Sequence, residues 1–325
     1  MTLDGTQGIS KLLVTIAGML LATVACIYVA YTLFHTGALE QVNLEDVGSR
    51  ILILAPVYLF CTIILGVAWH SLIAALDRPH IPVFDSVGIY ALTQINKYIP
   101  SNVVHLIGRY AVARRYNVPS SVVLKSMAAE AALILCCALA LAAMHIPASA
   151  SLLSRLKDIG VLAVSFAGLA TISLVAYAFL CRGLRLPAWL REKWQRLLTG
   201  TTIATALYII FYLLCGLIIL GLIESTDSPR QISLVVATAN VALAWALGFA
   251  VPGVSAGVGV REGILILTLS PEIGESEATI VALSYRVVTL LGDFLGFLVG
   301  IGWWLLERRR LEICHLTETK PPEAE

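Results

Sequence analysis

Long apolar runs without charged residues restrict the fold of this chain more than any other feature of its sequence. They occupy 12–39, 51–76, 131–154, 159–181, 197–223 and 231–260. A membrane-spanning helix needs about 20 mainly apolar residues. With 58% hydrophobic residues, 13% charged residues and a mean hydropathy of +0.87, the chain also carries more apolar surface than a soluble fold could bury. We predict an all-α, polytopic integral membrane protein.

Two further helices extend this pattern. One is predicted from Val118 to Met144, and the last from Thr279 to Leu306. The first run, 12–39, has 28 residues and exceeds the roughly 7–15 apolar residues of a cleavable signal peptide, so it is predicted to be a transmembrane helix. Residues 1–310 are expected to form a single transmembrane domain, and 311–325 a short cytoplasmic tail.

Loop charges predict the orientation in the membrane, because Lys and Arg favour cytoplasmic loops. Basic residues concentrate in 181–200, at 114–115 and at 308–310, whereas acidic residues mark 40–46, 224–227 and 272–277. We expect an inner-membrane protein with both termini cytoplasmic and about eight crossings. This threading counts 252–270 as one crossing and returns 85–112 to the side from which it entered. It also leaves Arg155 and Lys157 outside.

Several classes of function are disfavoured. The 22 Lys and Arg against 21 Asp and Glu leave no basic footprint for nucleic acid. The seven cysteines show no CxxC spacing, the six histidines form no HxxxH pair, and no ATP-binding GxxxxGK[ST] loop occurs. We therefore expect neither a metal nor a cofactor, and no catalytic residue is assigned.

Two segments depart from regular helix. Pro100 interrupts the polar run QINKYIPSNVVHLIGRY at 94–110, and Pro252 opens the glycine-rich run PGVSAGVGVREG at 252–263. Both are predicted to be broken or re-entrant helices. Each proline precedes an arginine by nine residues, Arg109 and Arg261. Interrupted segments in two halves of a transporter point to a binding site, although so short a match can arise by chance.

The first broken segment carries a candidate anion site. On a helix, Asn102, His105 and Arg109 would share one face, and the helix start after Pro100 would add unpaired N–H groups. With Lys97 upstream, a phosphate or phosphodiester headgroup is the natural ligand. Alternatively, Lys97 reaches lipid phosphates as an ordinary interfacial residue.

The second broken segment ends in Arg261 and Glu262, placed at the polar boundary of the membrane or deeper. Ionisable residues at that depth are functional candidates because burying them is costly. We predict that both contribute to substrate binding. The alternative, equally weighted, is a local ion pair that neutralises both side chains.

The helices hold three further ionisable candidates for ion or proton coupling, Glu130, Arg286 and Asp293. Arg286 and Asp293 lie on one face of the last helix, where they could pair with each other or with Arg261 and Glu130. Beside them, glycines at 292, 296 and 300 form a small-residue ridge that is expected to pack a neighbouring helix.

The two broken segments resemble the signature segments of the lysylphosphatidylglycerol synthase transmembrane-region family, also called flippase-like. The matching stretches are KYIPSNVVHLIGR at 97–109, followed by Arg114 and Arg115, and VPGVSAGVGVREG at 251–263. Ser101 and Asn102 replace glycine-type positions, and residues 254–256 lengthen the second segment. The resemblance covers about residues 10–306.

This resemblance implies a helical domain that moves a lipid with a charged or glycosylated headgroup between leaflets. The chain resembles members without the fused aminoacyltransferase domain, which are often associated with glycosyltransferases. We therefore expect a transporter of a polyprenyl-phosphate-linked saccharide or glycolipid, with a glycosyltransferase as a possible partner. Two rival functions stay open: a membrane scaffold that docks a glycosyltransferase through 181–200, and an intramembrane headgroup transferase using Glu130, His105 or Asp293 as base.

Overall fold

The computed structural model describes residues 24, 26–31, 34–35, 44–77, 81–98, 104–144, 188–226, 231–251 and 255–318. Within these ranges the chain is helical and contains no strand, which confirms the all-α prediction. Most of the predicted helix at 12–39, and all of the one at 159–181, lie outside the described residues, as do Pro100, Asn102 and Pro252.

Eight α-helices are numbered here in chain order: α1 Leu44–Leu76, α2 Val83–Gln94, α3 Val104–Ala113, α4 Ser120–Ala142, α5 Ala188–Ile223, α6 Leu234–Ala250, α7 Val260–Ile273 and α8 Glu275–Glu318. Short 3₁₀ turns occupy Ile95–Tyr98, Arg114–Tyr116 and Ser255–Gly257. By length and apolarity, α1, α4, α5 and α8 can each cross a membrane. The described part of the chain is therefore a polytopic helical bundle.

Helix α8 packs its glycine ridge against α1 and α2, as predicted. A side chain at Gly292 would come within 2.7 Å of Tyr58 on α1, and one at Gly300 would collide with the backbone of Leu92 on α2. Because small residues let helix backbones approach closely, this ridge holds the long last helix against α1 and α2.

The predicted acidic loops adjoin one end of the bundle. Arg50 Nη1 lies 3.1 Å from Glu224 Oε2, which joins the start of α1 to the end of α5. Val47 packs against Ile280, which brings the start of α8 to the same end. We call this the acidic end.

The basic segments adjoin the other end, which we call the basic end. There, Gly200 near the start of α5 lies against Ala75 near the end of α1. Pro82 and Phe84, at the start of α2, line a groove with Leu306 and Arg310 of α8. The bundle thus separates the charges as the loop pattern indicates, while its orientation in the cell stays a prediction.

Helices α2 and α3 pack together and form the first hairpin, 83–113. It starts beside the end of α8 at the basic end. It returns there, because Tyr116, just beyond α3, lies beside Glu307 of α8. With 12 and 10 residues, its arms are too short to span the roughly 30 Å hydrocarbon core. The segment returns to its side of entry, as the threading expects.

Helices α6 and α7 form the second hairpin, 234–273, which agrees with the re-entrant helix predicted around Pro252, whereas the threading counted 252–270 as a separate crossing. Helix α7 has 14 residues, a rise of about 21 Å, and leads directly into α8 at the acidic end. The turn between the arms reaches only as deep as Arg286 on α8, which hydrogen-bonds the Ala256 carbonyl. Helix α7 is therefore one arm of a re-entrant hairpin. An apolar run shows the length of a segment but not where the chain turns back.

The two hairpins enter the bundle from opposite ends and meet inside it. The 3₁₀ turn Ile95–Tyr98 of the first contacts the 3₁₀ turn Ser255–Gly257 of the second, and it also contacts α8. We call this region, with the adjoining part of α8, the junction. Irregular backbone within a membrane must be covered by protein or line a polar cavity, and the junction provides such cover.

Candidate functional site

Asp293 of α8 binds the tip of the first hairpin. Its Oδ2 atom lies 2.7 Å from Lys97 Nζ and accepts a 2.5 Å hydrogen bond from the Tyr98 hydroxyl. Asp293 is 1% exposed, and its other oxygen, Oδ1, has no hydrogen-bond partner among the described residues. One carboxylate oxygen therefore anchors the hairpin while the other is unsatisfied.

Glu262 performs two tasks at the tip of the second hairpin. Its Oε2 atom accepts a 2.6 Å hydrogen bond from the Gly259 N–H, and so caps the start of α7. Its Oε1 atom lies 3.4 Å from Arg286 Nη1. Arg286 also donates to the Ala256 carbonyl, 3.3 Å away. Glu262 and Arg286 thus fix the turn of the second hairpin to α8.

Arg261 lies beside Glu262 but has a different environment. It makes no ion pair with any carboxylate of the described residues, and its Nε atom is buried without a hydrogen-bond partner there. Its guanidinium carbon lies 5.5 Å from the centre of the Trp245 ring, a cation–π contact. Arg261 is therefore a cation held by an aromatic face without an acidic partner in the described part of the chain.

Two glycines make room for the Arg261 side chain. A Cβ atom at Gly248, on α6, would lie 2.5 Å from Arg261 Cγ, and one at Gly257 would lie 2.8 Å from its Nε. Gly257 also has φ +70, a conformation that favours glycine. We call the space between Trp245, Gly248 and Gly257 the Arg261 slot.

Arg109 has a carboxylate partner of its own. Its Nη1 atom lies 2.5 Å from Glu130 Oε2 on α4, and Tyr90 donates a 2.8 Å hydrogen bond to Glu130 Oε1. The guanidinium carbon lies 3.9 Å from the Tyr90 ring centre and 5.2 Å from that of Trp69. Arg109 is only 1% exposed. This buried cluster ties the first hairpin to α1 and α4.

His105 lies one turn before Arg109 on α3. Its Nδ1 atom is buried and has no hydrogen-bond partner among the described residues. Lys97 and Arg109 are both close enough to act on it electrostatically. The third member of the predicted stripe, Asn102, lies outside the described residues.

Among the described residues around the junction, the positive and negative charges do not balance. There are four cations, Lys97, Arg109, Arg261 and Arg286, but only three carboxylates. Asp293 pairs with Lys97, Glu130 with Arg109 and Glu262 with Arg286, which leaves Arg261 without a carboxylate. Arg261 and Arg286 lie close enough to Lys97 to repel it electrostatically. Arg261 carries the excess charge, so an anion would complete the site.

The structure brings the predicted site residues together with pairings that differ from the expected ones. Asp293 pairs with Lys97, and Arg286 pairs with Glu262. From the sequence, Arg286 and Asp293 were expected to pair with each other or with Glu130 and Arg261. The alternative prediction, an ion pair between Arg261 and Glu262, is wrong, because Glu262 pairs with Arg286. The hairpin geometry, and not distance along the sequence, decides which groups meet.

Sequence reasoning missed the residues that support these charges: Trp69, Tyr90, Tyr98, Trp245 and Gly248. The sequence held two signals for them. Tyr98 directly follows Lys97, and Trp245 and Gly248 lie one helical turn apart just before the second interruption. An aromatic residue and a glycine spaced in this way on an apolar helix are typical of packing, so they do not indicate a site by themselves.

Comparison with known families gives the class of protein. The signature of the family described as "Lysylphosphatidylglycerol synthase TM region" matches residues 9–300. The chain belongs to this family, and it is a multi-pass membrane protein of lipid-related function. No curated protein sequence matches the chain.

Proposed function

We propose that this protein transfers an anionic lipid between membrane leaflets and binds its phosphate at Arg261. The observation that carries the proposal is a partly buried guanidinium at the meeting point of two hairpins, with no carboxylate partner in the described residues. A cation inside a membrane protein is costly unless an anion compensates it. A lipid phosphate supplies that anion during transfer.

The chemistry of the Arg261 slot suits a phosphate. A guanidinium can donate two parallel hydrogen bonds to phosphate oxygens, whereas an ammonium group acts as a point charge. Trp245 and the two glycines orient the guanidinium before the ligand arrives, so little conformational entropy is lost on binding.

Access from both leaflets follows from the way the hairpins enter the bundle. The first hairpin enters from the basic end and the second from the acidic end, and Arg261 lies where their tips meet. A small displacement of either hairpin would open the junction towards its own side. The lipid tails would stay in the bilayer while the headgroup passes the junction.

The roles of the two arginines differ in this proposal. Arg109, enclosed by Glu130, Tyr90 and Trp69, acts as a positioning residue for the first hairpin, whereas Arg261 contacts the headgroup. Lys97, Arg286 and Glu262 hold the tips in place, and His105 and Asn102 belong to the same polar segment.

The finer assignments rest on the family. We propose a polyprenyl-phosphate-linked saccharide or related glycolipid as cargo, an inner-membrane location with both termini cytoplasmic, and a glycosyltransferase as partner. The protein is proposed to be a transporter and not an enzyme.

Leaflet-to-leaflet transfer of a labelled anionic lipid in reconstituted vesicles tests the proposal. We expect Arg261→Gln to reduce transfer more than tenfold, and Arg261→Lys to recover only a small part of it because it lacks the bidentate geometry. Arg50→Gln, which removes an exposed arginine at the acidic end, serves as the control for a lost positive charge. Wild-type transfer by both Arg261 variants would show that the lipid phosphate does not bind at Arg261.

A further inference from the structure

Asp293 has, at the junction where Arg261 also lies, one oxygen without a hydrogen-bond partner among the described residues. Its Oδ2 atom takes both of the available donors, Lys97 and Tyr98, while Oδ1 is buried without one among the described residues. A buried acceptor without a donor is costly. Oδ1 can therefore accept one more hydrogen bond, and because Asp293 is only 1% exposed, the donor must enter the junction to reach it.

The surrounding charges define which donor fits. Lys97 is bonded to the same carboxylate, and Arg261 and Arg286 act electrostatically on Lys97 and on Tyr98. Once a phosphate is bound, these three cations are balanced by Asp293, Glu262 and the phosphate, so an added ammonium group would leave an excess positive charge in the site. A neutral donor, such as a hydroxyl group, would satisfy Oδ1 without adding charge.

We propose that Asp293 Oδ1 accepts a hydrogen bond from a hydroxyl group of the headgroup whose phosphate Arg261 binds. The inference rests on the proposed function and deepens it. The site then recognises an anionic lipid that carries a sugar or polyol. Arg261 of the second hairpin binds its phosphate, and Asp293 of α8 accepts a hydrogen bond from its hydroxyl group. Headgroups that lack a hydroxyl, or that carry an ammonium group, are bound less well.

A matched pair of lipids tests the inference without any variant. Phosphatidylglycerol and phosphatidylmethanol with the same tail-labelled chains carry the same charge, but only the first has hydroxyl groups. We expect reconstituted wild-type protein to transfer phosphatidylglycerol roughly tenfold faster than phosphatidylmethanol, since the latter leaves Oδ1 unpaired. The lysyl ester of phosphatidylglycerol should also be transferred more slowly than phosphatidylglycerol.

Variants then assign the preference to Asp293. Asp293→Asn should lower the ratio of the two rates towards one. Arg261→Gln should slow both lipids and retain the ratio. Asp85→Asn is the matched control, because Asp85 is also a buried carboxylate but lies away from the junction, where its Oδ1 atom accepts a 2.8 Å hydrogen bond from Trp303 Nε1. Asp85→Asn should keep the wild-type ratio.

The outcomes separate this inference from the proposed function. Equal wild-type rates for the two anionic lipids, faster transfer of the lysyl ester, or an unchanged ratio in Asp293→Asn would overturn the hydroxyl subsite and leave the phosphate site standing. Transfer of neither anionic lipid by the wild-type protein would overturn the proposed function, and the hydroxyl subsite with it.

Discussion

The two hairpins both bring cations to the junction, but they balance them differently. In the first hairpin, Lys97 and Arg109 each have a carboxylate partner on a long helix, Asp293 or Glu130. In the second, Glu262 serves the turn and Arg286, and Arg261 makes no ion pair with a carboxylate of the described residues. The first hairpin is therefore built as a clamped element, and the second as a carrier of an uncompensated charge.

The difference also appears in the backbone. The turn of the second hairpin has positive φ angles at Ala256, Gly257 and Gly259, whereas the described part of the first hairpin has none. Glycines lower the cost of such a turn and leave space for the Arg261 side chain. We infer that the first hairpin, with its paired charges, stabilises the bundle, and that the second hairpin, with its unpaired Arg261, binds the ligand. Mutations can test this separation of stability from binding.

The largest effect on stability should come from breaking the Arg109–Glu130 pair. Glu130→Gln leaves a buried guanidinium without its countercharge and should cost about 3–5 kcal/mol of unfolding free energy. Thermal unfolding in detergent measures it. Arg109→Met combined with Glu130→Gln should recover much of that loss. Full stability but absent transfer in Glu130→Gln would instead make Arg109 part of the headgroup site and remove the contrast between the hairpins.

A methyl group in the Arg261 slot should give the next largest effect. Gly248→Ala would place a Cβ atom 2.5 Å from Arg261 Cγ and displace the guanidinium, so we expect about a tenfold loss of transfer. Gly302→Ala is the matched control, because no atom lies within 4 Å of the added Cβ. Equal transfer by the two alanine variants would show that the slot does not position Arg261.

Removing the aromatic face should have a smaller effect. Trp245→Leu keeps an apolar side chain but loses the cation–π contact, worth roughly 0.5–2 kcal/mol. We expect a several-fold weaker apparent affinity for an anionic lipid, measured from the dependence of transfer on lipid concentration. If affinity is retained while the protein loses thermal stability, Trp245 is a packing residue only.

The smallest effect is expected at the acidic end. The Arg50–Glu224 pair is exposed, and exposed pairs contribute about 0–1 kcal/mol. Arg50→Gln should therefore change neither transfer nor the unfolding temperature appreciably. A loss of transfer comparable to that of Arg261→Gln would mean that general positive charge, and not the junction, governs the lipid.

Sequence reasoning reached the interrupted segments and most of the ionisable residues of the junction. Pro100, Pro252 and the glycines predicted the breaks because their effect on a helix is local. Lys97, Arg109, Arg261 and Asp293 were predicted as site candidates because charges inside apolar runs are rare. The resemblance to the family was drawn from the same two segments.

The ion-pair partners could not be predicted, because they are set by packing between distant parts of the chain. Tyr98 and Asp293 are 195 residues apart, and Arg109 and Glu130 are 21 residues apart on different helices. For a related reason, the sequence could not decide whether the second interrupted segment is a broken or a re-entrant helix. An apolar run shows that a segment can lie in the membrane, but not how far it enters. The depth of this hairpin is set by a contact between distant residues, the hydrogen bond from Arg286 to the Ala256 carbonyl.

The central claim is that Arg261 binds a lipid phosphate, and an experimental structure of the protein in nanodiscs rich in anionic lipid tests it most directly. We predict a phosphate within hydrogen-bond distance of the Arg261 guanidinium, with Arg109 still paired to Glu130. A protein carboxylate on Arg261, or a phosphate on Arg109 in place of Glu130, would contradict the account.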